Sequence, residues 1–323
     1  MRAAFYEKNG PAREVLKVGE VETPSPGPGE VRVRIATSGV NPSDINARSG
    51  VRKLTFPRVI PHSDGAGTID QVGPGIDPSR VGERVWTWNA QWQRAFGTCA
   101  EYIVLPAALA VRLPERVSFE AGACFGIPAM TAAYTIALAG AAPGRTVLVA
   151  GGAGAVGHYA IQFAKARGAS VIATVSSAAK GELARAAGAD HVIDYRHENV
   201  GERVGAISRG GVDGVIEVNF AANAKLLPAV LRPKGVVVVY GAGAFDAQMP
   251  AFFCMANAIR LCFVNAYVLE EEERQAALAE ITRLAEAGKL MHNVALTVPL
   301  ADVAQAHEAV ETGTALGNVV VQI

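Results

Sequence analysis

Three glycines in one short stretch are the residues whose types and spacing most directly indicate chemistry. Gly152, Gly154 and Gly157 fit the pattern G-x-G-x-x-G between the apolar residues 146–149 and a segment of helical periodicity. In such a strand–turn–helix, the first glycine permits a tight turn. The second lets backbone N–H groups approach a pyrophosphate, and the third lets the helix pack close to the strand. Because a helix N-terminus also attracts anions, the stretch predicts a dinucleotide site rather than an ordinary turn.

The residues at the end of the next predicted strand, 170–175, indicate which dinucleotide. NAD-binding folds usually place Asp or Glu about 20 residues beyond the glycines, where it binds the ribose hydroxyls. This chain instead has Ser176 and Lys180 in that region. A carboxylate would repel a 2′-phosphate, whereas hydroxyl and ammonium groups can donate to one. The sequence therefore predicts NADP(H), although Lys180 taken alone is better explained as a solvated helix residue.

The composition argues against several other classes of protein. The 30 basic residues balance 30 acidic ones, so no nucleic-acid partner is expected. The four cysteines lack C-x-x-C spacing, which argues against structural zinc and a disulfide framework. No signal peptide is evident, so we expect a cytoplasmic protein. The uncharged residues 121–144 contain Gly and Pro, which favours a buried turn and helix over a membrane span.

The order of predicted elements indicates an α/β fold with two domains. The first 120 or so of the 323 residues contain short β-like runs separated by Gly and Pro. From about residue 145, strands alternate with helices, including a predicted crossover helix at 223–231, as in a doubly wound parallel sheet. The tail has helical patterns at 270–287 and 300–312 and a final strand at 318–323, and we expect it to return to the first domain.

Several short motifs occur in an order that is specific as a set. They occupy residues 26–33, 38–44, 48–50, 64–67, 71–73, 81–85 and 130–132. With the glycine turn, they resemble the medium-chain dehydrogenase/reductase superfamily, and within it the zinc-free quinone oxidoreductase branch, the relatives of zeta-crystallin. The resemblance implies a GroES-like β-rich catalytic domain at 1–122 and 266–323, clasping a Rossmann domain at 123–265 at a cleft. It also implies a homodimer.

The same resemblance implies NADPH as the cofactor and assigns residues to it. Lys180 and Tyr195 match the positions that hold the 2′-phosphate, Thr131 matches the nicotinamide end, and residues 241–242 match the ribose region. The full set of expected cofactor-binding residues is Asn41, Pro42, Thr131, Gly152, Ala153, Gly154, Ala155, Val156, Gly157, Ser176, Lys180, Tyr195, Asn219, Gly241 and Ala242.

The zinc-dependent members of the superfamily provide a contrast. They place a metal-binding Cys where this chain has Asn41, and a His-Glu pair where it has residues 63–64. Zinc normally needs three nitrogen or sulfur ligands, so no metal site is expected. His62 lies one position away, and a loop histidine is favoured there over a stray ligand. Asn41 and Asn46 are the candidate catalytic donors, and Asp44 either orients a neighbour or caps a turn.

These expectations favour hydride transfer from NADPH to a small-molecule quinone or enone. A zinc-type alcohol dehydrogenase would need the missing ligands. An enoyl-thioester reductase shares the fold and cofactor, and a crystallin-like protein would bind NADPH without turnover, so both stay open. The three tryptophans, Trp86, Trp88 and Trp92, either stack on a quinone or serve a core or dimer contact. Asn46 replaces a tyrosine that is frequent in the substrate cleft of relatives.

Overall fold

The computed structural model describes all 323 residues, which form two compact units. The first comprises residues 1–128 and 282–323, and the second comprises 129–281. The sequence placed these boundaries earlier, at 122 and 265. The boundary near the C-terminus differs most, because the helix that begins after residue 270 starts as part of the second unit. There Tyr134 donates a hydrogen bond to Glu273, and Arg167 pairs with Glu280.

Strands and helices alternate irregularly in the first unit and regularly in the second. The strands β1 to β15 are, in chain order, Arg2–Phe5, Lys17–Glu20, Glu30–Val40, Asp64–Val72, Arg84–Thr87, Tyr102–Pro106, Ala110–Arg112, Thr146–Val149, Ser170–Val175, His191–Asp194, Val212–Glu217, Leu231–Val239, Arg260–Phe263, Val294–Pro299 and Asn318–Gln322. The helices α1 to α12 are Ala12–Val15, Pro42–Ser49, Phe119–Gly122, Met130–Leu138, Ala155–Ala166, Ala178–Ala186, Val200–Ile207, Phe220–Asn223, Leu227–Val230, Ala251–Ala256, Glu271–Glu286 and Val303–Glu311.

The first unit is built on a mostly antiparallel sheet around β3. Its strand order is β14-β15-β3-β4-β5-β7, with β6 also paired to β3. Along β3 the buried Val31, Val33 and Ile35 alternate with more exposed arginines, because successive side chains of a strand point to opposite faces. Strand β15 pairs antiparallel with β3, so the tail returns to the first unit as the sequence predicts.

The second unit is a parallel six-stranded sheet in the order β10-β9-β8-β11-β12-β13. This order confirms the predicted doubly wound α/β fold. The three apolar residues of β8 are buried, as expected of a central strand in a parallel sheet. The chain reverses direction across the sheet between β8 and β11. In such sheets, ligands bind beyond the carboxyl ends of the strands at this switch point.

One predicted helical segment differs in the structure, and another has the turn and helix that the sequence predicts. The crossover expected at 223–231 consists of two short helices, α8 and α9, joined by a 3-10 turn. Pro228 explains the break, because proline fits the first turn of a new helix but not the interior of a continuing one. Residues 121–144 contain a π-helical turn at Phe125–Ala129 followed by α4. No helix in the protein has the length and apolar character needed to cross a membrane.

Candidate active site

The glycine turn joins β8 to α5, and its glycines divide the work differently from the prediction. The left-handed residue is Gly151, with φ 68°, and not Gly152. Gly152 is required for packing, since a Cβ there would lie 2.7 Å from the Cβ of Ala173. Gly157 has the predicted role, because a Cβ on it would lie 2.2 Å from the carbonyl oxygen of Gly151. The close approach of α5 to the turn therefore depends on Gly157.

The turn presents the start of a 12-residue helix with free amide donors. Gly154 is the N-cap of α5 and supplies no side-chain cap. The amides of Ala155 and Val156 in the first helical turn therefore have no helical acceptor. The amides of Gly152 and Gly154 are already used, by the carbonyls of Thr174 at 3.0 Å and of Gly151 at 2.9 Å. This arrangement fits a bound pyrophosphate, as predicted for residues 153–156.

Three residues predicted to hold a 2′-phosphate lie together at the carboxyl ends of β9 and β10. The Lys180 ammonium donates to Ser176 Oγ at 3.1 Å. The backbone N–H of Tyr195 donates to the carbonyl of Val175 at 3.1 Å, which brings Tyr195 alongside Ser176. The Tyr195 side chain is 52% exposed and free to contact a ligand. Hydroxyl and ammonium donors therefore lie together, with Tyr195 at the neighbouring strand end, where an NAD-binding fold would have a carboxylate.

The structure also brings together Asn219, Gly241 and Ala242, which follow β11 and β12. The amides of Phe220 and Ala221 donate to the carbonyls of Gly241 and Ala242, at 3.0 and 2.8 Å.

Sequence reasoning missed the buried acid behind these residues. Glu217 Oε1 accepts a hydrogen bond from the backbone N–H of Asn219 at 2.5 Å and another from the side-chain Nδ2 of Asn223 at 2.9 Å. Burial raises the pKa of Glu217. An acid at the end of β11, directly after the buried Val215 and Ile216, was the available signal. Thr131 is the other predicted cofactor-binding residue in this unit. The structure shows only that it is buried in α4.

In the first unit, the predicted catalytic residue Asn41 is the N-cap of α2. The Asn41 backbone N–H donates to Asp44 Oδ2 at 2.7 Å in a capping-box arrangement, so the capping interpretation of Asp44 is confirmed. Asn41 Nδ2 donates to Asp64 Oδ2, also at 2.7 Å. Pro42 occupies the first turn of α2, and Asn46 is exposed on the same helix. Asn41 is thus anchored in place, whereas the Asn46 side chain faces solvent.

Two buried carboxyl groups surround Asn41. Burial raises the pKa of Asp44 to about 7, although its hydrogen bond from Asn41 and the nearby Arg52 oppose the shift. Burial also raises the pKa of Asp64 well above its usual value, opposed by hydrogen bonds from Asn41 and from the Ile127 amide at 2.8 Å. The second carboxyl oxygen of Asp64, Oδ1, is buried without a hydrogen-bond partner.

The positions that correspond to zinc ligands in the zinc-dependent relatives do not fit a metal here. Asn41 and Asp64 are hydrogen-bonded directly to each other. No group of three or more His, Cys, Asp or Glu side chains is placed to hold a metal ion. His62 lies in the loop before β4, as the sequence favoured, but its side chain is not exposed. It is fully buried and bonded to Ser38 and His307, contacts that only the tertiary fold creates.

The tryptophans divide between the core and the surface of the first unit. Trp86 and Trp88 are only 1% and 3% exposed, and Trp86 packs edge-on against Phe125. Those two are core residues, so the stacking interpretation can apply only to Trp92. Trp92 is half-buried, with the Arg52 guanidinium 5.5 Å from its ring centroid.

Comparison with known proteins agrees with this geometry. Residues 27–115 match the family "Alcohol dehydrogenase GroES-like domain", and residues 155–283 match the family "Zinc-binding dehydrogenase". The chain is 31% identical to a quinone oxidoreductase of Pseudomonas aeruginosa, over 99% of this chain and 98% of that protein. It is 30% identical to an alcohol dehydrogenase of Geobacillus stearothermophilus, over the full length of both.

A solved structure of a quinone oxidoreductase also matches the whole chain. The quinone oxidoreductase of Escherichia coli, crystallised as a complex with NADPH, superposes with a TM-score of 0.88 over the full length of both chains, at 27% identity.

Proposed function

This chain belongs to the zinc-free quinone oxidoreductase branch of the medium-chain dehydrogenase/reductase superfamily, and we propose that it transfers hydride from NADPH to a quinone or an α,β-unsaturated carbonyl compound. The observation that carries the proposal is the Lys180–Ser176 hydrogen bond beyond β9, with Tyr195 at the neighbouring strand end, where donors replace the carboxylate that NAD would require. The chain is an oxidoreductase by family, and its acceptor is the part that needs a test.

Bound NADPH would supply the hydride, and the protein residues bind and orient. The first turn of α5 would receive the pyrophosphate, with Lys180 and Ser176 on the 2′-phosphate. Asn46 has an exposed amide that can donate to the oxygen on which negative charge develops as hydride arrives. Asn41, held by Asp64, would fix one side of this site.

The acceptor class follows from the chemistry that the first unit can support. Oxidising an alcohol requires a Lewis acid to acidify the hydroxyl group or a base to take its proton as hydride leaves. The positions that would hold zinc are instead committed to the Asn41–Asp64 hydrogen bond. An activated acceptor has no such need, because conjugation spreads the arriving charge and solvent can supply the proton afterwards. We therefore propose zinc-independent turnover.

A panel of acceptors tests the proposal. Purified protein treated with a chelator should oxidise NADPH with benzoquinone, naphthoquinone or short enones at the rate of untreated protein. It should not reduce NADP⁺ with simple primary alcohols. Tightly bound zinc at about one per chain, or activity with alcohols alone, would contradict the proposal. Enoyl thioesters as the only rapid acceptors would favour the thioester reductase, and tight NADPH binding without any turnover would favour the non-enzymatic alternative.

We further propose that the protein is a homodimer, joined through β13. This strand is paired only with β12, so its other edge is open. Apolar side chains are exposed around it, with Phe252 at 78%, Met255 at 72% and Phe263 at 67% exposed. An open edge of this kind can pair with the same edge of a second copy across a two-fold axis. A cytoplasmic location stays a prediction of the sequence.

Sedimentation should give about twice the chain mass of 33.6 kDa. Phe263→Lys should shift the protein to monomer, since lysine on an open edge opposes pairing. The control is Val51→Lys, at a residue that is 58% exposed in the first unit, and it should leave the mass unchanged. A monomeric wild-type protein would refute the dimer.

A further inference from the structure

His62 is a buried histidine with a left-handed backbone. Its φ is 79°, a conformation that non-glycine residues rarely adopt, and its side chain is fully buried. The surrounding backbone fixes this conformation, because the amide of Thr98 donates to the His62 carbonyl at 2.9 Å. Gly97 packs so closely that a Cβ on it would lie 2.1 Å from the same carbonyl oxygen. The packing around His62 therefore holds this backbone conformation in place.

That side chain belongs to a hydrogen-bonded chain whose proton positions can be assigned. Thr98 has one hydroxyl proton and donates it to the carbonyl of Asp64 at 2.6 Å. Ser38, 2.7 Å from Thr98 Oγ1, must therefore donate to it, and so must accept from His62 Nδ1 at 2.8 Å. A neutral His62 then has a bare Nε2, which accepts from His307 Nε2 at 2.9 Å. Every donor in this chain points toward Asp64.

The surroundings of the chain keep both imidazoles neutral. Burial lowers the pKa of His62 to about 3. Burial, the neighbouring His62 and the Arg48 guanidinium lower the pKa of His307 well below its usual value. Arg48 is itself buried and is held by Glu311 at 2.7 Å, on the same helix as His307. His307 Nδ1 is buried without a hydrogen-bond partner, and in a neutral ring that donates through Nε2 this nitrogen carries no proton, so no N–H group is left unpaired there.

Asp64 is the point at which this chain meets the proposed acceptor site. The Asp64 carbonyl accepts the last hydrogen bond of the series, from the Thr98 hydroxyl. Its carboxyl group accepts hydrogen bonds from Asn41 Nδ2 and from the backbone amide of Ile127. Asp64 Oδ1 also packs closely against Gly126, since a Cβ added to Gly126 would lie 2.0 Å from it.

We propose that His62 and His307 are positioning residues for the acceptor site: their hydrogen-bonded chain fixes Asp64, and Asp64 fixes Asn41. This role rests on the proposed function, since Asn41 matters only if the site transfers hydride. The two imidazoles do not touch the reacting atoms. They hold in place residues that correspond to metal-ligand positions in the zinc-dependent relatives.

Variants at His62 separate side-chain positioning from backbone strain. His62→Gly relieves the left-handed backbone but removes the hydrogen-bonded chain, and kcat with a good acceptor should fall about tenfold. His62→Asn tolerates the same φ and keeps a donor to Ser38, so it should retain most of the wild-type kcat. Gln93→Gly is the matched control, because Gln93 is exposed with φ 55° and belongs to no such chain. It should leave kcat unchanged.

Side-chain NMR provides a readout that does not depend on turnover. In wild-type protein labelled with ¹⁵N-histidine, His62 should be the Nδ1–H tautomer and His307 the Nε2–H tautomer at pH 7. The Asn41 amide resonance should shift in His62→Gly and not in Gln93→Gly. If wild-type protein turns over no acceptor, the proposed function fails, and the Asn41 resonance still decides the positioning role.

An unchanged Asn41 resonance together with unchanged kcat in His62→Gly would overturn the positioning role. Should that variant fail to fold, the same comparison applies to His307. His307→Gln keeps a donor and should retain activity, whereas His307→Met removes it and should lose activity. Equal activity in these two variants would also overturn the proposal.

Discussion

Lys180→Ala is expected to weaken NADPH binding by about ten- to a hundredfold and to leave NADH binding nearly unchanged. A charge-assisted hydrogen bond contributes about 1.5–3 kcal/mol, and only NADPH carries the 2′-phosphate that receives it. The Lys180 ammonium is already aimed at this site, since it donates to Ser176 Oγ at 3.1 Å. Fluorescence titration of both cofactors measures the two dissociation constants.

The comparison needs a matched lysine elsewhere in the second unit. Lys225 is exposed, and Lys225→Ala should alter neither constant. Equal losses for NADPH and NADH in Lys180→Ala would show that the residue contacts a part common to both cofactors. The 2′-phosphate assignment would then be wrong.

Gly157→Val is expected to abolish measurable NADPH binding and to lower the free energy of unfolding by about 1–3 kcal/mol. The reason is steric: a Cβ at this position would lie 2.2 Å from the Gly151 carbonyl oxygen and 3.1 Å from the Gly152 Cα. Both neighbours are backbone atoms, so α5 must move away from the turn. The backbone amide donors at the start of α5 are then displaced from the pyrophosphate position. Titration with NADPH and urea unfolding together measure the two effects.

Gly205 provides the control, because it also lies in a helix of the second unit but nothing stands within 4 Å of a Cβ built there. Gly205→Val should bind NADPH like the wild type. If Gly157→Val bound NADPH with wild-type affinity, the turn would not be the pyrophosphate site.

The sequence predicts the second unit well because its signals are local. The glycine spacing, the buried strands and the residues after each strand lie within short segments, and parallel strand order then brings Ser176, Lys180 and Tyr195 together. The role of Gly152 was misjudged because two adjacent glycines can each take the left-handed turn. Only the packing against Ala173 shows which one does.

The first unit is harder to predict because its site is assembled from distant segments. Asn41 and Asp64 are 23 residues apart, and His62 and His307 are 245 apart. No local pattern connects such residues. A buried histidine with a left-handed backbone also gives no signal in the sequence, since φ is set by the packing of Gly97 and Thr98.

The most direct test of the central claim is transfer of deuterium from NADPH labelled at C4 to a short enone, with chelator-treated protein. We expect the saturated product to carry one deuterium at its β-carbon, and the reaction to slow when the transferred position is the labelled one. Deuterium absent from the product despite NADPH oxidation would contradict hydride transfer to an activated acceptor. So would a reaction that proceeds only after zinc is restored.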